Sequence, residues 1–165
     1  AISMLISSLL YSYGVKNITI LDKNFERLNY TKKNFYLKKF INLNLNKKIE
    51  PKESNYNFVF DLITNDYSFD YGIKSIDKGG KYIVVGIPEL EDYIKVNPHK
   101  LRKKEIDILN VRRSNISFKR MQNIILKKSV PIDKLATHYF NLEDIQHGFK
   151  IASNYSENIV RGIIY

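Results

Sequence analysis

The 165-residue chain contains no cysteine. That absence excludes disulfide scaffolds, thiolate zinc sites and cysteine nucleophiles within it. Long apolar runs are missing too, and none approaches the ~18 residues that a membrane-spanning helix requires. No charged segment followed by a short apolar stretch and a small-residue cleavage site marks a secretory leader. Internal repeats, low-complexity stretches and base-reading motifs are absent as well. What remains is 44% hydrophobic and 27% charged, the composition of one globular domain rather than a disordered chain.

Acidic residues are in short supply: 17 against 27 Lys and Arg, a net charge of +10. A nucleic-acid partner is one reading of that excess. Arg, however, supplies only six of the 27 cations, and Lys, Ile and Asn are abundant together, as in a chain drawn from A/T-rich codons. The basic groups Lys32-Lys33, Lys38-Lys39, Lys47-Lys48, Arg102-Lys103-Lys104, Arg112-Arg113 and Lys127-Lys128 are scattered along the chain. A phosphate-tracking groove needs them on one face. Compositional drift on solvated surfaces is the simpler account.

Ile2, Leu5, Ile6, Leu9, Leu10 and Tyr13 repeat with helical spacing, and Gly14 follows as the terminating residue. Residues 17–22 read as a buried strand ending in Asp22, 24–35 as a helix and 40–45 as a strand. Residues 46–55 are polar loop. Strands are predicted at 56–63, 81–87, 106–111 and 159–165. Helices are predicted at 67–76, 98–103 and 117–128, and after the N-cap candidate Asn141. Lys78-Gly79-Gly80 reads as a tight turn. Apolar strands alternating with helices imply an α/β fold, a doubly wound parallel sheet covered on both faces.

In a dinucleotide-binding β-α-β unit, an acid ending the second strand accepts hydrogen bonds from ribose hydroxyls. Asp22 holds that position, and Arg27, five residues on, is placed to stack on adenine or reach the ribose. A carboxylate there favours NAD over NADP, although the neighbouring Lys23 leaves NADP open. The plainer alternative is that Asp22 caps the next helix. The glycine-rich phosphate turn that opens such units is cut: with Ser3 in the third glycine position, the first strand and two glycines fall before Ala1. The expectation is therefore a Rossmann-like domain lacking its first, central strand. Either the protein continues upstream, or the strand is supplied from elsewhere, or the domain is incomplete.

Six segments occur in an order that resembles a known family. They are Ala1-Ile2-Ser3-Met4-Leu5, Leu21-Asp22-Lys23-Asn24-Phe25-Glu26-Arg27-Leu28, Phe58-Val59-Phe60-Asp61, Lys78-Gly79-Gly80 through Ile87, Val111-Arg112-Arg113-Ser114-Asn115, and Thr137-His138-Tyr139-Phe140 through Phe149. Together they resemble the C-terminal half of the zinc-type medium-chain dehydrogenases, the sorbitol-like polyol and alcohol dehydrogenases. That resemblance implies hydride transfer between a secondary alcohol or polyol and NAD in a cytoplasmic homo-oligomer. Asp22 and Arg27 would hold adenosine, and Ile2 would meet the pyrophosphate through its backbone. Val85, Gly86 and Ile87 would line the nicotinamide, flanked by Val111, Arg112 and Arg113, with Arg112 also touching substrate. Read without the resemblance, Gly86 is a strand-end turn and Arg112-Arg113 a solvated pair.

The same resemblance implies that residues 1–130 are an incomplete dinucleotide-binding domain. Residues 131–165 would pack back on an absent N-terminal catalytic domain, leaving apolar faces at 141–153 and 159–165 exposed in the isolated chain. Zinc and the proton relay would belong to that other half, because His99, His138 and His147 have no metal-ligand spacing. No catalytic residue is assigned in the chain. Thr64 stands where the family has a glycine and Phe35 falls near another, and a side chain at 64 is expected to intrude toward the cofactor. Three rivals stay open: a methyltransferase-like domain binding S-adenosylmethionine, a basic nucleic-acid module, and a zinc-independent quinone reductase of the same superfamily.

Overall fold

The structure, a computed structural model, describes residues 1–35, 39–43, 49–51, 55–88, 93–113, 117–127 and 129–165. It divides into two compact bodies, Ala1–Lys47 with Ile116–Tyr165, and Lys48–Asn115. Every strand pair among the described residues is parallel.

In the first body, α1 (Ile2–Ser12) ends at Tyr13, and Gly14 takes the left-handed φ of +90° that stops the helix. Strand β1 (Thr19–Asp22) leads to α2 (Phe25–Asn34), and β2 (Lys39–Asn42) pairs with β1. Asn24 caps α2 by accepting the Arg27 N–H. Leu28 packs from α2 onto Ile20 of β1, with Ile18 and Phe40 around them. Burying side chains of this kind contributes roughly 1.5–3 kcal/mol each. Phe35 needs no glycine conformation: its φ is −129°, and its ring is buried 6.3 Å from Tyr30. Helix α5 (Ser117–Leu126) and the strand pair β6 (Ala136–Phe140) and β7 (Arg161–Ile164) complete this body, with α6 (Ile145–Asn154) between the two strands.

The second body holds β3 (Tyr56–Asp61), α3 (Asp66–Ser75), β4 (Ile76–Val84), α4 (Pro98–Lys104) and β5 (Asp107–Asn110), with sheet order β3-β4-β5. A capping box starts α3: Asn65 accepts the Ser68 N–H, and the Ser68 hydroxyl accepts the Asn65 N–H. Phe69 and Ile73 of α3 close on Ile76 and Tyr82 of β4 to form the core. Lys104 ends α4, and its ammonium donates to the carbonyls of Ile73, Lys74 and Ile76 at 3.0, 3.0 and 2.6 Å, closing the carboxyl end of α3.

Several expectations change. The Lys78-Gly79-Gly80 turn lies inside β4 as a bulge: pairing jumps from Tyr56–Ile76 to Phe58–Lys81, and Gly79 has a φ of +71°. Strand β6 falls in a segment with no strand expectation: Thr137, Tyr139 and Phe140 are β-formers, but the run is short and is defined by its pairing with the distant β7. Asn141 opens only a short 3-10 turn at Leu142–Asp144 and makes no side-chain cap bond, so α6 begins at Ile145. Positions 44 and 45 of the second predicted strand, most of the polar loop 46–55, and Ser114 and Asn115 lie outside the described residues. Among the described residues, no helix is long and apolar enough to cross a membrane.

Candidate functional site

The predicted site residues fall in the two bodies. Ile2, Asp22 and Arg27 belong to the first; Val85, Gly86, Ile87, Val111, Arg112 and Arg113 belong to the second.

In the first body, parallel pairing puts Asp22 at the carboxyl end of β1, with Asn42 opposite at the end of β2. The Asn42 amide donates to the carbonyls of Asp22 and Lys23, both at 3.2 Å, tying the strand ends together. Asp22 Oδ1 accepts the Asn24 N–H at 2.9 Å. Asp22 thus supports the residue that caps α2 rather than capping the helix itself. The Arg27 guanidinium lies 4.3 Å above the ring of Tyr155, so its stacking partner within the chain is a tyrosine.

Arg27 and Arg161 both line a cleft of about 250 Å³, walled on its apolar side by Phe140, Phe149, Ile159 and Ile164. Thr137 fixes the backbone that carries Arg161: its hydroxyl accepts the Val160 N–H at 2.9 Å and donates to the Arg161 carbonyl at 3.3 Å. The first turn of α1 has no acidic residue and no side-chain cap. The two guanidinium groups that line the cleft favour an anion. The sequence reading missed Arg161. Its signal was a lone cation opening an apolar terminal strand.

In the second body the ends of β3, β4 and β5 form a corner organised by Asp61, which is 5% exposed. Its Oδ1 accepts the N–H groups of Ile63 and Thr64 at 2.9 and 3.0 Å. Its Oδ2 accepts the hydroxyls of Ser68 at 2.8 Å and Tyr82 at 2.5 Å. Its carbonyl accepts the N–H groups of Val85 and Gly86 at 2.8 and 2.9 Å. Burial first, and then the bond to Asp61, hold the Tyr82 phenol far above the usual tyrosine range. Gly86 is required by close approach: a Cβ there would sit 2.6 Å from the Leu62 carbonyl carbon and 2.7 Å from the Thr64 hydroxyl. Thr64 is 4% exposed, and its hydroxyl donates to the Gly86 carbonyl at 3.1 Å.

Beside this corner, the Val111 N–H donates to the Val84 carbonyl at 2.9 Å, so Val85–Ile87 and Val111–Arg113 leave adjacent strand ends. Ile87 is 94% exposed, Val111 is 52% exposed, and Arg112 and Arg113 are exposed. Among the described residues, no group of three or more His, Asp or Glu side chains could hold a metal ion. His138 contacts the Thr137 hydroxyl and the Phe140 ring, and His147 meets the edge of that ring, so both act in packing.

Neither a family model nor a curated sequence matches the chain significantly. Solved structures do. A short chain alcohol dehydrogenase of Escherichia coli CFT073, complexed with NADH, superposes with a TM-score of 0.83 at 18% identity, covering 96% of this chain and 48% of that one. Benzyl alcohol dehydrogenase of Acinetobacter calcoaceticus gives 0.83 at 19% identity, covering 98% and 46%. 2R,3R-butanediol dehydrogenase of Bacillus subtilis gives 0.81 at 17% identity, covering 98% and 47%. The chain spans just under half the length of these proteins, and over that length it shares the α/β fold of the alcohol dehydrogenases.

Proposed function

We propose that the chain is the dinucleotide-binding part of a cytoplasmic, homo-oligomeric oxidoreductase that moves a hydride between a secondary alcohol or polyol and NAD. The observation that carries this reading is the placement of Asp22 at the carboxyl end of β1, with Arg27 in the helix that follows and Arg161 lining the same cleft as Arg27. An acid for ribose hydroxyls and cations for a pyrophosphate are what a dinucleotide demands there. The match to alcohol dehydrogenase folds, one of them complexed with NADH, supports it and favours it over an S-adenosylmethionine site.

When bound, the nicotinamide ring would supply the hydride acceptor. The chain's own residues bind and orient. Asp22 accepts from ribose hydroxyls through the oxygen not given to Asn24, Arg27 covers the adenosine, and Ile2 with Arg161 faces the phosphates. Val85, Gly86 and Ile87 border the nicotinamide, Val111, Arg112 and Arg113 flank it, and Arg112 reaches the substrate. Zinc does not fit the residues described in this chain, since no ligand cluster is present among them. We assign the metal and the proton relay to residues outside the chain and expect residues 1–165 to bind the dinucleotide without turning it over.

The test is calorimetric titration with NADH, NADPH and S-adenosylmethionine. The reading predicts saturable NADH binding, weakened 10- to 100-fold by Asp22→Ala, the loss of one or two hydrogen bonds to a charged acceptor at about 1.5–3 kcal/mol. Binding of S-adenosylmethionine in place of NADH would overturn it.

A further inference from the structure

Thr64 occupies a backbone position that its side chain disfavours. Its φ is +61°, and a β-branched residue in the left-handed region is a true outlier, whereas glycine would enter it freely. Two features hold it there. Asp61 Oδ1 accepts the N–H groups on both sides of the Ile63–Thr64 peptide corner. The Thr64 hydroxyl then spans to the Gly86 carbonyl, 22 residues away in sequence. Because Asp61 also accepts the Val85 and Gly86 N–H groups through its own carbonyl, the Val85–Gly86 segment is tied to the end of β3 from both its donor and its acceptor sides. The side chain at 64 therefore turns into the corner and is 4% exposed.

We propose that Thr64 is a positioning residue: its hydroxyl latches the Gly86 carbonyl and so presets the Val85–Ile87 segment that borders the nicotinamide. Strain kept at one residue in return for a fixed binding segment is a recurrent arrangement at functional sites. The nicotinamide part of this inference rests on the reading of the chain as a dinucleotide-binding protein; the latch itself does not. The latch predicts that the ring end of the cofactor, and not its adenosine end, depends on the hydroxyl.

The experiment compares Thr64→Gly, Thr64→Ala and Thr64→Ser in the intact protein. Amide hydrogen exchange is measured at Val85 and Gly86 without ligand, and affinities are measured for NADH and for ADP-ribose, which lacks the nicotinamide ring. Thr64→Gly relieves the strain and removes the latch. It should retain the parent melting temperature within a few degrees, speed exchange at Val85 and Gly86 at least tenfold, and weaken NADH about fivefold while leaving ADP-ribose unchanged. Thr64→Ala should show the same two losses with a lower melting temperature. Thr64→Ser should restore the parent exchange rates and the parent NADH to ADP-ribose ratio. Unchanged exchange in Thr64→Gly and Thr64→Ala overturns the latch, whatever binds. Equal loss of NADH and ADP-ribose overturns its link to the nicotinamide end. Faster exchange in Thr64→Gly and Thr64→Ala, with neither ligand bound by the parent protein, upholds the latch and overturns the dinucleotide reading.

Discussion

Asp22 and Asp61 each end an apolar strand, yet their surroundings send them to different tasks. Asp22 gives one oxygen to Asn24 and stays partly exposed. Asp61 is enclosed and accepts from two backbone amides and two hydroxyls through its side chain. Its bond to Tyr82 makes alkaline stability a test. The folded pKa of Tyr82 is raised above its ordinary 10.0, so the folded state keeps a proton that the unfolded chain loses. Stability is therefore full below about pH 10 and falls above it, by up to ~1.4 kcal/mol per pH unit. Urea unfolding from about pH 9 to about pH 11 should show that slope, and Tyr82→Phe should flatten it while lowering stability at neutral pH. The same slope in Tyr82→Phe would assign the loss to another group. Gly86→Ala is the second residue-scale test. Its Cβ would press on backbone atoms of Leu62 and Ile63 as well as on Thr64, and backbone cannot rotate away. A loss of about 3 kcal/mol in urea unfolding is expected; a loss under about 1 kcal/mol would show that the corner yields.

Among the elements, α3 depends on both its ends. Its amino end is closed by the Asn65–Ser68 capping box and its carboxyl end by Lys104 from α4. Lys104→Met keeps the aliphatic stem but leaves three carbonyls without that donor. It should cost about 1.5–3 kcal/mol and speed amide exchange in the last turn of α3 before it affects β3. Global loss without that local effect would place the lysine's role elsewhere. Lys104 sits in Arg102-Lys103-Lys104, which reads as a solvated charge run, and nothing local tells the third cation apart from the other two. The helices and apolar strands were legible because they rest on periodicity and short-range capping: Gly14 ended α1 and Pro98 stands at the start of α4 as expected. The bulge at Gly79, the strand at Ala136–Phe140 and the place of Arg161 beside Arg27 depend on register between distant segments, which no local pattern encodes. Asp22 was legible as a candidate by its position at a strand end, and Gly86 through the family resemblance. The reason Gly86 must be glycine, the approach of Leu62–Thr64, was not.

For the molecule as a whole, the excess of lysine and the exposed apolar residues have different meanings. The ion pairs Lys74–Glu50, Lys74–Asp70 and Lys81–Asp107 are solvent-exposed and contribute little to stability, in keeping with lysine spread over surfaces. Leu142 is 63% exposed, Phe149 65% and Tyr165 73%, all within the segment expected to be covered by the rest of a longer protein. The central claim, that this fold holds a nicotinamide dinucleotide, is tested most directly by hydrogen exchange of the protein with and without saturating NADH. The account predicts slowed exchange in the peptides that carry Asp22–Arg27 and Val85–Ile87, with α4 unchanged. Saturable NADH binding that protects neither peptide, or no binding at all, would contradict it.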